Sequence, residues 1–283
     1  MSYIGKTPTS VPLTSSDITD GIITTTKIAD ANVTNPKLTS GSQQNFRNII
    51  INGDMSIAQR GTSTSSVTGT GYNASDRFKN NISSLGTWTV SQSTDVPTGQ
   101  GFAKSFKMDC TTADASPSSG DYNVISQAFE GQNLQYLKKG TSSAESLTAS
   151  FWVYATKTGT NIVELYDYDN SRQISKSYTI SSSNTWEFKT VTFPGDTSGA
   201  LGNDNAASLQ LNFWLAAGSD RTSGTLNTSW NSITNANRVV GQVNHADSTS
   251  NDFYITGVQL EAGTSASDFE FLPVDVNLQR CLR

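Results

Sequence analysis

Glycoside hydrolysis needs two carboxylates about 5–10 Å apart across the scissile bond. The sequence offers Glu164, Asp167 and Asp169 in one run and Glu187 in another. Solvated carboxylates are ordinary in a chain with 24 Asp and Glu against 19 Lys and Arg. No catalytic residue is therefore assigned, and the chain is read as not an enzyme. The DYDN run could help chelate Ca²⁺ through Asp167 and Asp169, since that ion takes clustered oxygen ligands. A solvated turn accounts for the same residues. Sugar recognition is a different chemistry. It lays C–H faces on aromatic rings and surrounds them with hydrogen-bonding side chains. Trp152, Tyr154, Tyr166, Tyr168 and Trp214 are the candidates, because each falls out of phase with the apolar positions of its own strand. Two readings of these five rings stand: one exposed platform for a glycan, or a face packed against another protomer or the core.

Other chemistries are excluded by residue counts. Cys110 and Cys281 are the only cysteines, and no C-x-x-C or His-rich spacing exists, so a structural zinc site is not expected. Two buried free thiols are the expected state. His245, the single histidine, lies in the polar run QVNHADSTSND and is expected to be solvated. There is no G-x-S-x-G, no G-x-G-x-x-G and no G-x-x-x-x-G-K-[ST]. No cofactor is expected. A net charge of −5 argues against nucleic-acid binding. No apolar run reaches the roughly 20 residues that span a bilayer, and MSYIGKTPTSVPL lacks the apolar segment of a signal peptide.

The elements that must position these residues are strands. Ser and Thr make up about a quarter of the 283 residues, and charged residues only 15%, against roughly 25% in an average chain. Period-two alternation recurs. SLTASFWVYA (146–155) puts Leu147, Ala149, Phe151, Val153 and Ala155 on one face. NIVELYDYD (161–169) turns Val163 and Leu165 inward, with Ile162, Glu164, Tyr166 and Tyr168 opposite. SLQLNFWLAAG (208–218) turns Leu209, Leu211, Phe213 and Leu215 inward. In NDFYITGVQLEAG (251–263), Phe253 and Ile255 give way to Val258 and Leu260 after a phase shift at Gly257, as a bulge would produce. The Gly-, Ser- and Asn-rich stretches 61–71, 112–121, 195–207 and 218–237 are expected surface loops, and 131–146 one helical turn or a loop. The spacing predicts an all-β sandwich.

The N-terminal region follows another rule. Ile18, Ile23, Ile28, Val33 and Leu38 recur every fifth position, which fits neither a helix nor a strand. A lone chain of this composition cannot bury enough surface to fold. Three chains around one axis could share those residues as a core; a disordered linker is the other reading. DITDGIITTTKIADANVTNPKL resembles the short repeats in the N-terminal shafts of bacteriophage tail fibres, and MSYIGKTPT resembles the N-terminus of fibre proteins from marine phages.

The remainder resembles jelly-roll carbohydrate-binding modules and, more closely, phage-fibre versions of them. The matching pieces are Asn48 to Met55 (N-x-x-x-N-G-D), the S-F-W-V-Y strand at 150–154, W-x-x-x-T-V-T-F at 186–193 and Y-I-x-x-V-x-L-E at 254–261. Such fibre chains typically close on F-E-x-R-P, where this one has Leu272 before Pro273, and they often continue further, so a distal tip on another chain is one expectation. The resemblance implies a virion-attachment segment (1–17), a repeat shaft (18–44), a jelly-roll sandwich (45–272) and a C-terminal extension (273–283). It implies a homotrimeric tail fibre in the virion, assembled in the host cytoplasm. Its N-terminus would dock on tail or adaptor proteins and its far end would mediate host attachment. The alternative is a non-catalytic module recognising host envelope polysaccharide.

Overall fold

Alternating apolar residues build the central strands, and a computed structural model describes twelve strands within residues 46–282. The attachment segment and the shaft repeat, with Ile18, Ile23, Ile28, Val33 and Leu38, lie outside the described residues. One antiparallel sheet contains β1 (Ser63–Val67), β3 (Thr87–Ser93), β4 (Ser105–Thr112), β12 (Asp252–Ala262), β6 (Leu147–Ala155) and β9 (Glu187–Phe193), in that order. The other contains β11 (Asn231–Ser232), β8 (Arg172–Ile180), β7 (Gly159–Asp167), β10 (Ala207–Ala217), β5 (Tyr122–Glu130) and β2 (Lys79–Ser83). Eight of these, β4 to β10 and β12, run 4-12-6-9 in the first sheet and 5-10-7-8 in the second. That order is a double Greek key, the jelly-roll β-sandwich. Two short α-helices, α1 (Ser219–Thr222) and α2 (Val274–Cys281), and three 3₁₀ turns complete the described elements.

The predicted inward residues meet between the sheets. Ala149, Phe151 and Val153 of β6 face Leu209, Leu211, Phe213 and Leu215 of β10, all essentially without solvent exposure. The Phe151 ring stands edge-on to Phe213 at 4.9 Å and to Tyr178 at 5.0 Å, a favoured geometry for aromatic pairs. The bulge at Gly257 is present. The β12–β6 register slips between Thr256 and Gln259, and Gly257 has φ +59° with the Phe102 ring 2.5 Å from where a Cβ would sit.

Several expectations need correction. The Asn48–Met55 piece, matched to the opening strand of carbohydrate-binding modules, forms no strand; it runs as irregular chain. Asn48 sews it to β12, donating to the Val258 carbonyl at 3.2 Å and accepting from Leu260 N–H at 3.0 Å. The polar stretch 61–71 contains edge strand β1, because an edge strand needs partners on one side only and little apolar content. The stretch 218–237 carries α1 and β11, and Leu226 packs with Val239 onto the outer face of the second sheet. The run after Gly131 forms two 3₁₀ turns. Residues 274–281 form α2 directly after Pro273, a residue suited to a helix start.

Candidate functional site

The alternation that points Leu209, Leu211, Phe213 and Leu215 into the core points Gln210, Asn212 and Trp214 the other way. Hydrogen-bonded register then lines up neighbours across the second sheet. Tyr166, Gln210 and Ala128 form one row; Glu164, Asn212, Ser126 and Lys79 the next; Trp214, Val124 and Asn81 the third. Tyr72 and Tyr122 join from the flanks, and Arg221 and Arg238 from the covering segment. Together they enclose an open groove of about 450 Å³. No Asp or Glu is among the described residues that line it.

The floor is a connected network anchored on one buried carboxylate. Glu164 is fully buried and accepts two bonds from Arg238, at 2.8 and 2.9 Å. It also accepts from Asn212 Nδ2 at 2.9 Å and Trp214 Nε1 at 3.1 Å. Gln210 Nε2 donates to Asn212 Oδ1 at 2.5 Å, and the Tyr168 hydroxyl donates to Gln210 Oε1. Asn81 donates to Ser126 Oγ at 2.8 Å. Arg238 stacks over Tyr166 at 4.9 Å and Trp214 at 5.1 Å. Burial works against the Arg238 charge, but the Glu164 carboxylate outweighs it and holds the guanidinium pKa above its ordinary value. Burial pushes the Tyr168 phenol up. Tyr72 and Tyr168 are each 46% exposed, with Arg60 over one face of the Tyr72 ring at 5.5 Å and Tyr168 edge-on to Tyr166 at 4.7 Å.

The five predicted rings do not form one platform. Tyr166, Tyr168 and Trp214 belong to this groove, while Trp152 and Tyr154 lie on β6 of the opposite sheet. Strands 146–155 and 161–169 are consecutive in sequence, yet the jelly-roll crossover puts them in different sheets, so equal phase does not mean equal face. Trp152 packs on Phe188 at 5.4 Å, and Tyr154 on Tyr254 at 4.9 Å and Trp186 at 5.7 Å. Trp214 is only 2% exposed, covered by a small second cluster with Val124, Ile162 and Val239. Sequence reading missed Tyr72, Tyr122, Arg221 and Arg238. Tyr72 sits outside any strand, Tyr122 opens β5 in phase with Val124 and Ser126, and the arginines come from the stretch read as loop (Arg221) and from just beyond it (Arg238).

The carboxylates considered for catalysis or calcium are engaged elsewhere. Asp167 is buried against the Lys139 ammonium, which also contacts Asp196 at 3.0 Å and the Gly199 carbonyl at 2.9 Å. The Lys139 ammonium thus lies in the oxygen cluster where calcium was expected. Asp169 accepts from Gly202 N–H at 2.8 Å. Among the described residues no group of three or more His, Cys, Asp or Glu could hold a metal. Glu187 bonds the Ser181 and Ser182 amides and Lys189. His245 is fully buried rather than solvated, with Nε2 at 2.7 Å from Asn161 Oδ1. That oxygen also accepts from Gln242, which makes Nε2 the protonated nitrogen. Burial, with the Lys157 charge, lowers the imidazole pKa to about 3. Cys110 and Cys281 are both buried free thiols, and burial raises each to about 11.

The described chain is thus a jelly-roll β-sandwich carrying a ring-walled, amide-floored groove on one outer face. No family model matches the sequence, and no curated protein matches it significantly. Among solved structures it is similar to the enzymatically active domain of a tailspike protein of bacteriophage CBA120, at TM-score 0.39 and 16% identity over 76% of this chain. That match spans 21% of the tailspike chain. It is also similar to a CBM4 carbohydrate-binding module, at TM-score 0.37 and 12% identity over 75% of this chain and 97% of the module. A third similar structure is TmCBM61 in complex with β-1,4-galactotriose, at TM-score 0.37 and 10% identity over 76% of this chain and 99% of that one. Among the described residues no helix is long and apolar enough to cross a membrane.

Proposed function

We propose that the groove on the second sheet binds a glycan without cleaving it, and that the chain is a fibre subunit presenting this groove to a host surface. The observation that carries the glycan reading is the combination of accessible tyrosine rings with side-chain amides already oriented by Glu164. Ring faces take sugar C–H groups, and fixed amides take hydroxyls without reordering. Binding is favoured over hydrolysis because both Glu164 oxygens are occupied and the lining residues include no second carboxylate. The fibre reading rests on the repeat at 18–38 and its likeness to phage shafts. Residues 1–17 would dock on the tail, and three shafts would wind together.

The test is affinity electrophoresis of the full chain through gels containing a panel of neutral and acidic polysaccharides. Tyr72→Ala with Tyr168→Ala removes two exposed rings at no cost to the core. Each should weaken binding by on the order of 1 kcal/mol. Retardation unchanged in a double variant of normal melting temperature would place the ligand elsewhere.

A further inference from the structure

The groove carries a charge opposite to that of the molecule around it. The chain bears −5 overall, yet the groove is lined by Lys79, Arg221 and Arg238 and by no acid. Glu164, beneath the floor, is committed to Arg238 through the bidentate pair. Three cations over one carboxylate leave the lining net positive, and Asp220 beside Arg221 offsets this only in part. Lys79 forms no ion pair among the described residues and stands on β2, at the end of the row that runs through Ser126 and Asn212. Arg221 stacks its guanidinium 4.2 Å over the Tyr122 ring and donates one bond to the Gly120 carbonyl. Its Nε is buried with no hydrogen-bond partner. Asp220, on the same short helix, is exposed and forms no salt bridge with it. A buried donor without an acceptor is uncommon and unfavourable. Burial and the neighbouring Arg238 charge also pull the Arg221 pKa below its ordinary value.

We infer that the groove selects an acidic polysaccharide, one whose uronic-acid carboxylates pair with Lys79 and Arg221 while its rings rest on Tyr72 and Tyr168. The inference rests on the glycan-binding reading above. A guanidinium offers a planar fork that matches a carboxylate, and a lysine offers a mobile point charge. On a net-acidic protein these two cations are the feature that would let a polyanion approach against the average field.

The test compares polygalacturonate, alginate and hyaluronate with their carboxyl-reduced forms, using the full chain and titration calorimetry. At least one acidic polymer should bind. Carboxyl reduction should weaken it about ten-fold or more. Raising ionic strength from about 0.01 M to about 1 M shortens the screening length from about 30 Å to about 3 Å and should weaken it comparably. Lys79→Gln, a partly exposed site on β2, should lose about three- to ten-fold more on the acidic polymer than on the reduced one. Arg221→Gln should lose more. Equal binding to acidic and reduced polymers, or indifference to salt, would overturn the charge selection and leave the glycan site standing. Absence of binding to all six polymers would overturn both.

Discussion

At the residue scale, the Glu164–Arg238 pair is the sharpest target. Arg238→Met should destabilise the fold by about 3–5 kcal/mol, because it strands a buried carboxylate. Chemical denaturation measures this. A loss below about 1 kcal/mol would mean that water reaches Glu164. His245 gives a pH signature. Its folded-state pKa, about 3, lies below the ordinary 6.5. The contribution of the neutral imidazole is therefore complete above pH 6.5 and is lost as pH falls toward 3, since only the unfolded chain takes up the proton. The slope from this group is about 1.4 kcal/mol per pH unit. Replacing it by His245→Gln should flatten the stability profile between pH 6.5 and 4 by about one proton. Part of this was legible beforehand. Tyr166 and Trp214 declare themselves by breaking phase with Leu165 and Leu215, and the two thiols were expected buried. The burial of His245 was not legible, because Asn161, which bonds its Nε2, lies 84 residues away in sequence.

At the scale of elements, Lys139 acts as a staple between the end of β7 and the 195–202 connection. It joins Asp167, Asp196 and the Ser198 and Gly199 carbonyls. Lys139→Met should lower stability by about 3–5 kcal/mol, and EDTA should leave the melting temperature of the wild type unchanged. A chelator-induced drop would restore the calcium reading. Gly257 marks a second element-level constraint. Gly257→Ala should cost about 1–3 kcal/mol, from positive φ and from contact with the Phe102 ring. The central strands were readable because a buried face enforces strict alternation. Edge strand β1 and helix α2 were not, since STSSV has one buried residue in five and α2 buries only Asn277 and Cys281. Neither carries an apolar periodicity to find.

For the whole molecule, the proposed fibre makes a claim about mass. Sedimentation of the full chain should give about three times 30.3 kDa. Ile28→Asp should disperse the assembly by setting three like charges on one axis. Wild type and mutant both sedimenting as monomers would remove the shaft reading. Trimerisation would matter to binding as well: a single groove with two accessible rings is expected in the millimolar range, and three on one fibre would raise avidity through effective concentration. The position of β12 has a separate consequence, for biogenesis. It lies between β4 and β6, and so joins residues 252–262 to 105–112 and 147–155. Until the ribosome has released that last strand, on the order of ten seconds after β4 has been made, the first sheet is two fragments with bare hydrogen-bonding edges. Such edges recruit other chains. Synthesis stopped before residue 252 should therefore yield aggregate rather than a smaller soluble domain, and a cell making many copies at once would depend on finishing each chain before its half-built sheets meet.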